Sequence, residues 1–470
     1  MSVIIYELNE VPKKLLDFYS LSHPNSAFAF LRDNSRLFET NTADVGELSP
    51  WVTWPTMHRG VPNVEHEITD LGQNLTNVNK EFPSVQNILA GQGIKVGVFG
   101  SLQSYPLPKN LDNFSFYVPD TFAAGDECFP KELNAFQRFN LSMVKANARN
   151  VSKGVAIRDA SRFIFNARHL GLKLNTFLKL TNQLISEQIN SDKLVRRRTS
   201  QVEICFDLYF KQISETKPDI SFFFTNHVAS CMHRYWPTIF PDDYEKGKFI
   251  KNWITRWSGE IPHSIKVANY QLMKLINFCK LNNSELIVCS SMGQAAVKNV
   301  LLKNKQVLIT NLKKLMAYLG AEIAEWEPRL SMAPQVVIKP KSESILENLK
   351  KLKKIFINGK NINYTILKTG DVRFDISLLN QENLNVLDDD KSISNKDIGV
   401  ENIKLQDAAG SYAYHISEGI LLHFNPKKKI NQSSNRNWIP ISSLDFAPSL
   451  LNKFNKDVPS YMNNENLFGN

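Results

Sequence analysis

The chain has 470 residues, of which 43% are hydrophobic and 22% charged, which is an ordinary globular composition. A chain of this length can bury a large core without disulfide staples, so its five dispersed cysteines predict free thiols in a reducing compartment. A net charge of +10 is typical of proteins that meet nucleic acid, anionic membranes or anionic substrates, and we expect no nucleic-acid partner here.

The N-terminal residues lack the basic and long apolar segments of a secretory signal, and no run of about 18 apolar residues occurs. We therefore predict a cytoplasmic protein without transmembrane helices. Basic residues cluster in residues 142–200 and again in residues 427–429. Such clusters fit a solvated surface and, as the alternative, peripheral contact with an anionic membrane.

The first part of the chain alternates between strand and helix patterns. Residues 3–6 form a short apolar run, residues 85–90 have the flanking residues of a capped helix, and residues 94–100 predict a second strand. This alternation is typical of a parallel sheet with flanking helices. Residues 131–215 interrupt it with basic, helically spaced sequence, which predicts an inserted helical cap.

The strand pattern resumes at residues 219–224 and returns at residues 285–290 and 419–424. Residues 301–400 differ, because their predicted strands are shorter and their turns are rich in Lys, Asn and Asp, so we predict a small α+β insertion. The sequence thus predicts an α/β protein with a mostly parallel central sheet flanked by helices. Its core would comprise residues 1–130, 216–300 and 401–470.

Polar residues directly follow three of the predicted strands. Asn9 and two nearby glutamates follow the first strand, and residues 225–227 and 290–294 follow two later ones. Open parallel sheets bind ligands at the carboxyl ends of their strands. We therefore expect these side chains to converge on one edge of the sheet.

Three histidines are candidate metal ligands. His227 and His233 flank a short segment after a predicted strand, and His415 lies much later in the chain. Three imidazoles can hold Zn²⁺ or a similar borderline metal and leave one position open for substrate or water.

These features occur in the order of the motifs of a known family. Residues 47–62 read ELSPWVTWPTMHRGVP, where that family has its nucleophilic Thr or Ser, and residues 443–451 resemble its closing Asp-x-x-Pro-Thr-x-Leu. Other matching segments are residues 3–9, 222–236, 287–293 and 415–421. The chain thus resembles the alkaline phosphatase superfamily, in its phosphodiesterase/nucleotide pyrophosphatase-like branch, over nearly its whole length. The resemblance implies an alkaline phosphatase-like fold.

The resemblance also implies two metal positions, of which one has suitable ligands. The first set would be His227, in place of the family's Asp, with His233 and His415. Residues that are poor ligands for a dication stand at the second position, and these are Asn9, Ser49, Ser291 and Met292. Glu7 or Glu10 could compensate. We therefore expect one divalent metal, zinc, and a degenerate second site.

The family's nucleophile aligns with Ser49, and Thr53 is the second candidate. Ser49 also suits the N-cap of a helix that begins at Pro50, and the two roles can coexist because a helix N-terminus attracts phosphate. Arg59 would help to hold the anion.

The sequence therefore favours a metal-dependent enzyme that acts on a phosphate ester or phosphodiester. It would be a hydrolase, or a phosphoryl or glycosyl-phosphate transferase in surface-glycan metabolism. Two alternatives stay open, namely a single-metal transferase on activated sugars in glycan assembly and a non-catalytic relative that binds a phosphorylated glycan. The expected partner is in each case a phosphorylated or nucleotide-activated small molecule or glycan.

Overall fold

The computed structural model of the chain describes residues 2–146, 163, 167–331, 334–367, 369–428 and 437–469. In chain order its strands are β1 (Val3–Leu8), β2 (Arg36–Asn41), β3 (Val96–Phe99), β4 (Phe114–Val118), β5 (Ile220–Thr225), β6 (Glu285–Cys289), β7 (Gly293–Ala296), β8 (Lys305–Ile309), β9 (Trp326–Arg329), β10 (Val336–Pro340), β11 (Ile355–Ile357), β12 (Lys360–Asn361), β13 (Asn363–Ile366), β14 (Val372–Asp375), β15 (Val386–Asp388), β16 (Lys391–Ile393), β17 (Val400–Lys404), β18 (Ala413–Ile416), β19 (Glu418–Phe424) and β20 (Ile439–Ser442).

The helices are α1 (Lys13–Ser22), α2 (Ala27–Asn34), α3 (Pro50–Arg59), α4 (Asn63–His66), α5 (Val78–Glu81), α6 (Val85–Gly91), α7 (Asn134–Ala146), α8 (Leu174–Ile189), α9 (Arg197–Thr216), α10 (His227–Tyr235), α11 (Lys251–Trp257), α12 (Glu260–Asn282), α13 (Leu312–Tyr318), α14 (Ser344–Leu349) and α15 (Phe446–Lys453). Short 3₁₀ helices span Lys131–Leu133, Ser191–Arg196, Trp236–Thr238, Pro241–Asp243, Ile323–Glu325, Lys350–Lys354 and Ser443–Asp445.

The largest sheet has eight strands in the order β20-β2-β19-β6-β1-β5-β3-β4. Strand β19 runs antiparallel to its neighbours β2 and β6, and the other pairings are parallel. The predicted α/β class, with a mostly parallel central sheet between helices, is confirmed.

Strand β1 lies at the centre of this sheet, and its six residues are all buried. Its side chains alternate between the two faces, as the two-residue period of a strand requires. Ile4, Tyr6 and Leu8 belong to one apolar cluster, with residues of α1, α2, α9, α10 and α12. Val3 and Ile5 belong to the other, with residues of α3, α6 and α15. A strand buried on both sides explains why residues 3–6 are a continuous apolar run.

The predicted helical cap, residues 131–215, is helical in α7, α8 and α9, and residues 147–162 and 164–166 of it lie outside the described residues. Helix α9 packs directly on the sheet. Its Tyr209 stacks on Phe223 of β5 at 4.5 Å between ring centroids, and the Tyr209 hydroxyl lies 2.9 Å from Ser221 Oγ. Helix α9 is therefore a layer of the core, and the division of the chain into core and cap stays a prediction.

Residues 307–400 bury an apolar cluster of their own. Two four-stranded antiparallel sheets supply much of it, in the orders β13-β14-β10-β9 and β12-β11-β15-β16. In the described part of the chain, no helix has the length and apolar character needed to cross a membrane.

Candidate metal centre

The carboxyl ends of β1, β5 and β6 meet at one edge of the sheet, because the three strands are parallel neighbours. Asn9, just after β1, donates through Nδ2 to Oδ1 of Asn226, just after β5, at 2.8 Å. Ser290, just after β6, donates through Oγ to the Leu8 carbonyl. The polar residues that follow these strands thus lie together, as the sequence predicted.

Glu10, His233 and His415 form a compact cluster at this edge. Oε2 of Glu10 lies 2.9 Å from His233 Nε2 and 3.4 Å from His415 Nε2. One potential ligand atom from each residue lies within 4.8 Å of the other two. Among the residues that the structure describes, these three form the one group of His, Cys, Asp or Glu side chains with ligand atoms this close.

Both histidines of the cluster are oriented by the backbone. His233 Nδ1 lies 2.7 Å from the Ala413 carbonyl, and His415 Nδ1 lies 2.6 Å from the Leu48 carbonyl. A carbonyl only accepts, so each Nδ1 carries a proton. Each Nε2 faces Glu10: it donates to the carboxylate while the ring is protonated, and it offers a lone pair to a metal once that proton leaves. Metal-ligating histidines are held in this way, through a proton on the nitrogen that does not ligate.

Two amides hold the Glu10 carboxylate in place. Asn9 Nδ2 donates to Oε1 at 2.7 Å, and Gln294 Nε2 donates to Oε2. Gln294 lies on β7, directly paired with His415 on β18, so the same short sheet positions one ligand and the group that orients another. The sequence pattern placed Gln294 only among the polar residues that follow a predicted strand. That position indicated the edge of the sheet but not the hydrogen bond to Glu10.

The electrostatics of the cluster favour an ionised carboxylate. Burial disfavours charge on Glu10, but the charges of His415 and His233 and their hydrogen bonds outweigh it and hold the Glu10 pKa well below its usual value. Burial likewise opposes charge on His415, and the Glu10 carboxylate reverses this, so the His415 pKa is raised. One anionic oxygen and two imidazole nitrogens form a donor set that fits a borderline divalent metal such as zinc.

His227 lies outside this cluster. It is the first residue of α10 and is 4% exposed, and Ser264 and His263 of α12 are its neighbours. Burial lowers the His227 pKa to about 3, which keeps the ring neutral. The structure therefore brings His233 and His415 together, with Glu10 as the third group.

Glu7 also faces away from the cluster. It lies within β1, whereas Glu10 lies three residues later, beyond the end of that strand. Its Oε1 lies 2.7 Å from His58 Nε2, and its Oε2 accepts a 2.7 Å hydrogen bond from Ser101 Oγ. The Glu7 side chain is fully buried. Both carboxylate oxygens are thus bonded to side chains of the protein.

Neutral groups occupy the second metal position that the resemblance implied. Asn9 Oδ1 accepts a 2.8 Å hydrogen bond from Trp54 Nε1, and the Thr53 and Ser291 hydroxyls lie 2.8 Å apart. Met292 is fully buried. Hydrogen bonds between uncharged side chains therefore stand where the family pattern has metal ligands.

Ser49 is the N-cap of α3, and Pro50 begins that helix, as predicted. The Ser49 side chain makes no capping hydrogen bond. The carbonyl of the preceding residue, Leu48, accepts the hydrogen bond from His415 Nδ1. Ser49 is therefore the chain neighbour of a residue that contacts the cluster. Arg59 ends the same helix, about 15 Å away at 1.5 Å per residue, and therefore lies away from the cluster.

No protein-family model matches the chain, and neither does any curated protein. Among solved structures, murine ectonucleotide pyrophosphatase/phosphodiesterase 5 is similar, with 12% identity, 98% of each chain covered and a TM-score of 0.41. The human protein has 10% identity and a TM-score of 0.40, over 98% of this chain and 97% of that one. Phosphonoacetate hydrolase from Sinorhizobium meliloti 1021 has 13% identity and a TM-score of 0.39, over 95% and 94%. Every TM-score is below 0.5, so these similarities carry no argument about activity.

Proposed function

We propose that the protein is a metal-dependent enzyme of the phosphoesterase type, with Glu10, His233 and His415 as the ligands of one divalent ion. The convergence of these three side chains beside the N-terminus of α3 is the observation that carries the proposal. A metal bound there would act as a Lewis acid that stabilises negative charge on phosphate oxygens. Zinc suits the mixed oxygen and nitrogen donor set best.

Ser49 is the proposed nucleophile. Its side chain is free of a capping bond at the start of a ten-residue helix, where the positive end of the helix dipole attracts a phosphate. The Thr53 hydroxyl is fully buried and paired with Ser291, so it is the poorer candidate. The Ser49 oxygen would form a bond to phosphorus while an alcohol or phosphate group leaves. Water or a second alcohol would then attack the same phosphorus, break its bond to Ser49 and restore the free hydroxyl.

A diester or diphosphate is the preferred substrate class. A phosphate monoester carries close to two negative charges at neutral pH, and a diester carries one. The residues that the resemblance puts at the second metal position, Asn9, Ser49, Ser291 and Met292, are all neutral, so the centre would offer less positive charge than a two-metal clamp. Each phosphorus of a phosphodiester or of a nucleotide-activated sugar carries one negative charge, so this charge balance supports both classes, with hydrolysis and transfer to a glycan acceptor as the two possible fates of the phosphoryl group.

The Ser49→Ala variant tests the nucleophile and the function together. We expect it to fold and bind metal like the parent protein, because the Ser49 side chain caps nothing, and to lose about 10³-fold or more in turnover of bis-p-nitrophenyl phosphate. The Thr53→Val variant is the matched control and should keep most of the activity. Parent activity should be higher on this diester than on p-nitrophenyl phosphate. Full turnover by Ser49→Ala would exclude the covalent mechanism.

We also propose that α8 is a peripheral membrane contact. Six large apolar side chains of this helix are exposed, and they recur with helical spacing along one face: Leu174, Phe177, Leu178, Leu184, Ile185 and Ile189. Lys179 lies on α8 itself, Lys193 and Arg196 follow it in the chain, and Lys266 lies on α12; Lys179 is ion-paired with Glu203 and Arg196 with Glu260. An apolar helical face next to cations suits the interface of an anionic bilayer.

Vesicle co-sedimentation tests this contact. We expect the protein to bind vesicles of mixed phosphatidylglycerol and phosphatidylcholine, and to bind pure phosphatidylcholine about tenfold less or weaker. Replacing Leu178 and Ile185 by Asp should remove the binding, whereas Leu281→Asp, at an 84% exposed position of α12, should leave it unchanged. A dimer in solution that the Leu178 and Ile185 changes dissociate would instead show that a second copy covers this face.

A further inference from the structure

A polar cleft lies beside the C-terminal end of α3, separate from the metal centre. Arg59 lines it from α3, Ser84, Gln86 and Asn87 line it from the start of α6, and the loop after β3 forms another wall. The cleft is narrow and partly open to solvent. None of its lining residues belongs to the Glu10, His233 and His415 cluster.

Arg59 is buried in this cleft without an acidic partner. It is 2% exposed, and its two terminal nitrogens donate to the Phe82 carbonyl and, at 2.8 Å, to Asn79 Oδ1. Its Nε has no hydrogen-bond partner, and the described part of the chain places no carboxylate within 4.0 Å of the guanidinium. Burial lowers the Arg59 pKa to about 10. A buried charge of this kind is costly unless an anion joins it.

Other unpaired groups of the cleft surround Arg59. Gln86 Oε1 and Asn87 Oδ1 are buried and lack partners, and Gln86 is only 4% exposed. Since the amide oxygen and nitrogen exchange places by a half-turn of the group, each of these residues can present its N–H₂ to a ligand. Ser84 precedes α6 and its hydroxyl makes no capping bond. A guanidinium, amides and a hydroxyl are the donors that a tetrahedral oxoanion needs.

The nearest carboxylates are already occupied by other donors. Glu7 is bonded to His58 and Ser101. Asp120, behind Ser104, accepts backbone hydrogen bonds from Ser104 and Phe122. Their negative charge therefore does not face Arg59 as an ion pair.

We propose that this cleft binds inorganic phosphate at a site distinct from the metal centre. The unpaired Arg59 Nε and the amide groups of Gln86 and Asn87, whose oxygens lack partners and which a half-turn would present as donors, form the site. Ser49 and Arg59 stand at opposite ends of the ten-residue helix α3, and none of the residues lining the cleft belongs to the metal cluster. The proposal does not depend on the reaction at the metal centre, since it rests on a different set of side chains.

Isothermal titration calorimetry with inorganic phosphate tests this site on the full-length chain. In the His415→Ala variant, whose metal centre is disabled, we expect one phosphate to bind with a dissociation constant of about 1 mM or below. Asn87→Leu should weaken it about tenfold or more, and the matched exposed change Asn77→Leu should not alter it.

Arg59→Gln should abolish the binding, and Ser84→Ala provides a second, milder probe if the buried Arg59 change impairs folding. Circular dichroism and thermal unfolding of each variant establish that it is folded. Three results would overturn the proposal: no binding heat at about 10 mM phosphate, loss of binding in His415→Ala, or full binding in both Asn87→Leu and Ser84→Ala.

Discussion

The Glu10→Gln variant is expected to lose its bound divalent metal and about 10³-fold or more of its diesterase activity. The amide keeps the size of the side chain but removes its negative charge. Oε2 of Glu10 is the one anionic atom that faces both His233 Nε2 and His415 Nε2. An amide is a poor ligand for a borderline dication, so two imidazoles alone would hold the ion weakly. Metal analysis of the purified protein and turnover of bis-p-nitrophenyl phosphate measure the two effects.

Glu418→Gln is the matched control, because Glu418 is an exposed carboxylate at the start of β19. It should retain metal and activity. His227→Ala distinguishes the two possible ligand sets, since the sequence placed His227 among the ligands and the geometry does not. We expect His227→Ala to keep the metal. If instead His227→Ala lost the metal and Glu10→Gln kept it, the ligands would be His227, His233 and His415.

The sequence predicts which residues lie at the edge of the sheet, but not that Glu10 rather than His227 faces His233 and His415. The strand patterns located the edge of the sheet correctly, because a strand buried on both faces is a mostly apolar run and polar residues follow its end, although β1 also buries Glu7. The residues Asn9, Glu10, His227 and Ser290 all stand at such ends. Which of them turns inwards depends on backbone dihedrals just after the strand. Glu10 has a φ of +59°, in the left-handed region, and no periodicity in the sequence reports that turn.

The bounds of helix α3 were easier to predict than the cluster of possible metal ligands. Pro50 at the first position of a helix and Gly60 at its end, with a φ of +65°, are strong local signals for where α3 begins and ends. The position of Arg59 then follows from helix length alone. Its unpaired Nε does not, because that depends on which side chains of α6 and the β3 loop approach it. Long-range contacts of this kind are set by the assembled sheet.

Replacing Glu7 by Leu is expected to lower the free energy of unfolding by about 3–5 kcal/mol while leaving metal content per folded molecule unchanged. Both Glu7 oxygens are bonded, to His58 Nε2 and to Ser101 Oγ, each at 2.7 Å, and the side chain is fully buried. Removing the carboxylate strands a buried imidazole and a buried hydroxyl without acceptors. Urea unfolding monitored by circular dichroism gives the change in free energy.

The Glu7→Leu, His58→Leu double variant separates a lost hydrogen-bonded pair from a general packing defect. Because it removes the stranded imidazole as well, it should be more stable than the sum of the two single changes predicts. Glu418→Leu, at an exposed site, should cost less than about 0.5 kcal/mol. If Glu7 were a metal ligand, its replacement would instead deplete the metal and change the stability of the metal-free protein little. These two outcomes are clearly different. The Glu7→Leu variant therefore shows whether Glu7 and Glu10 belong to one metal centre or have separate roles.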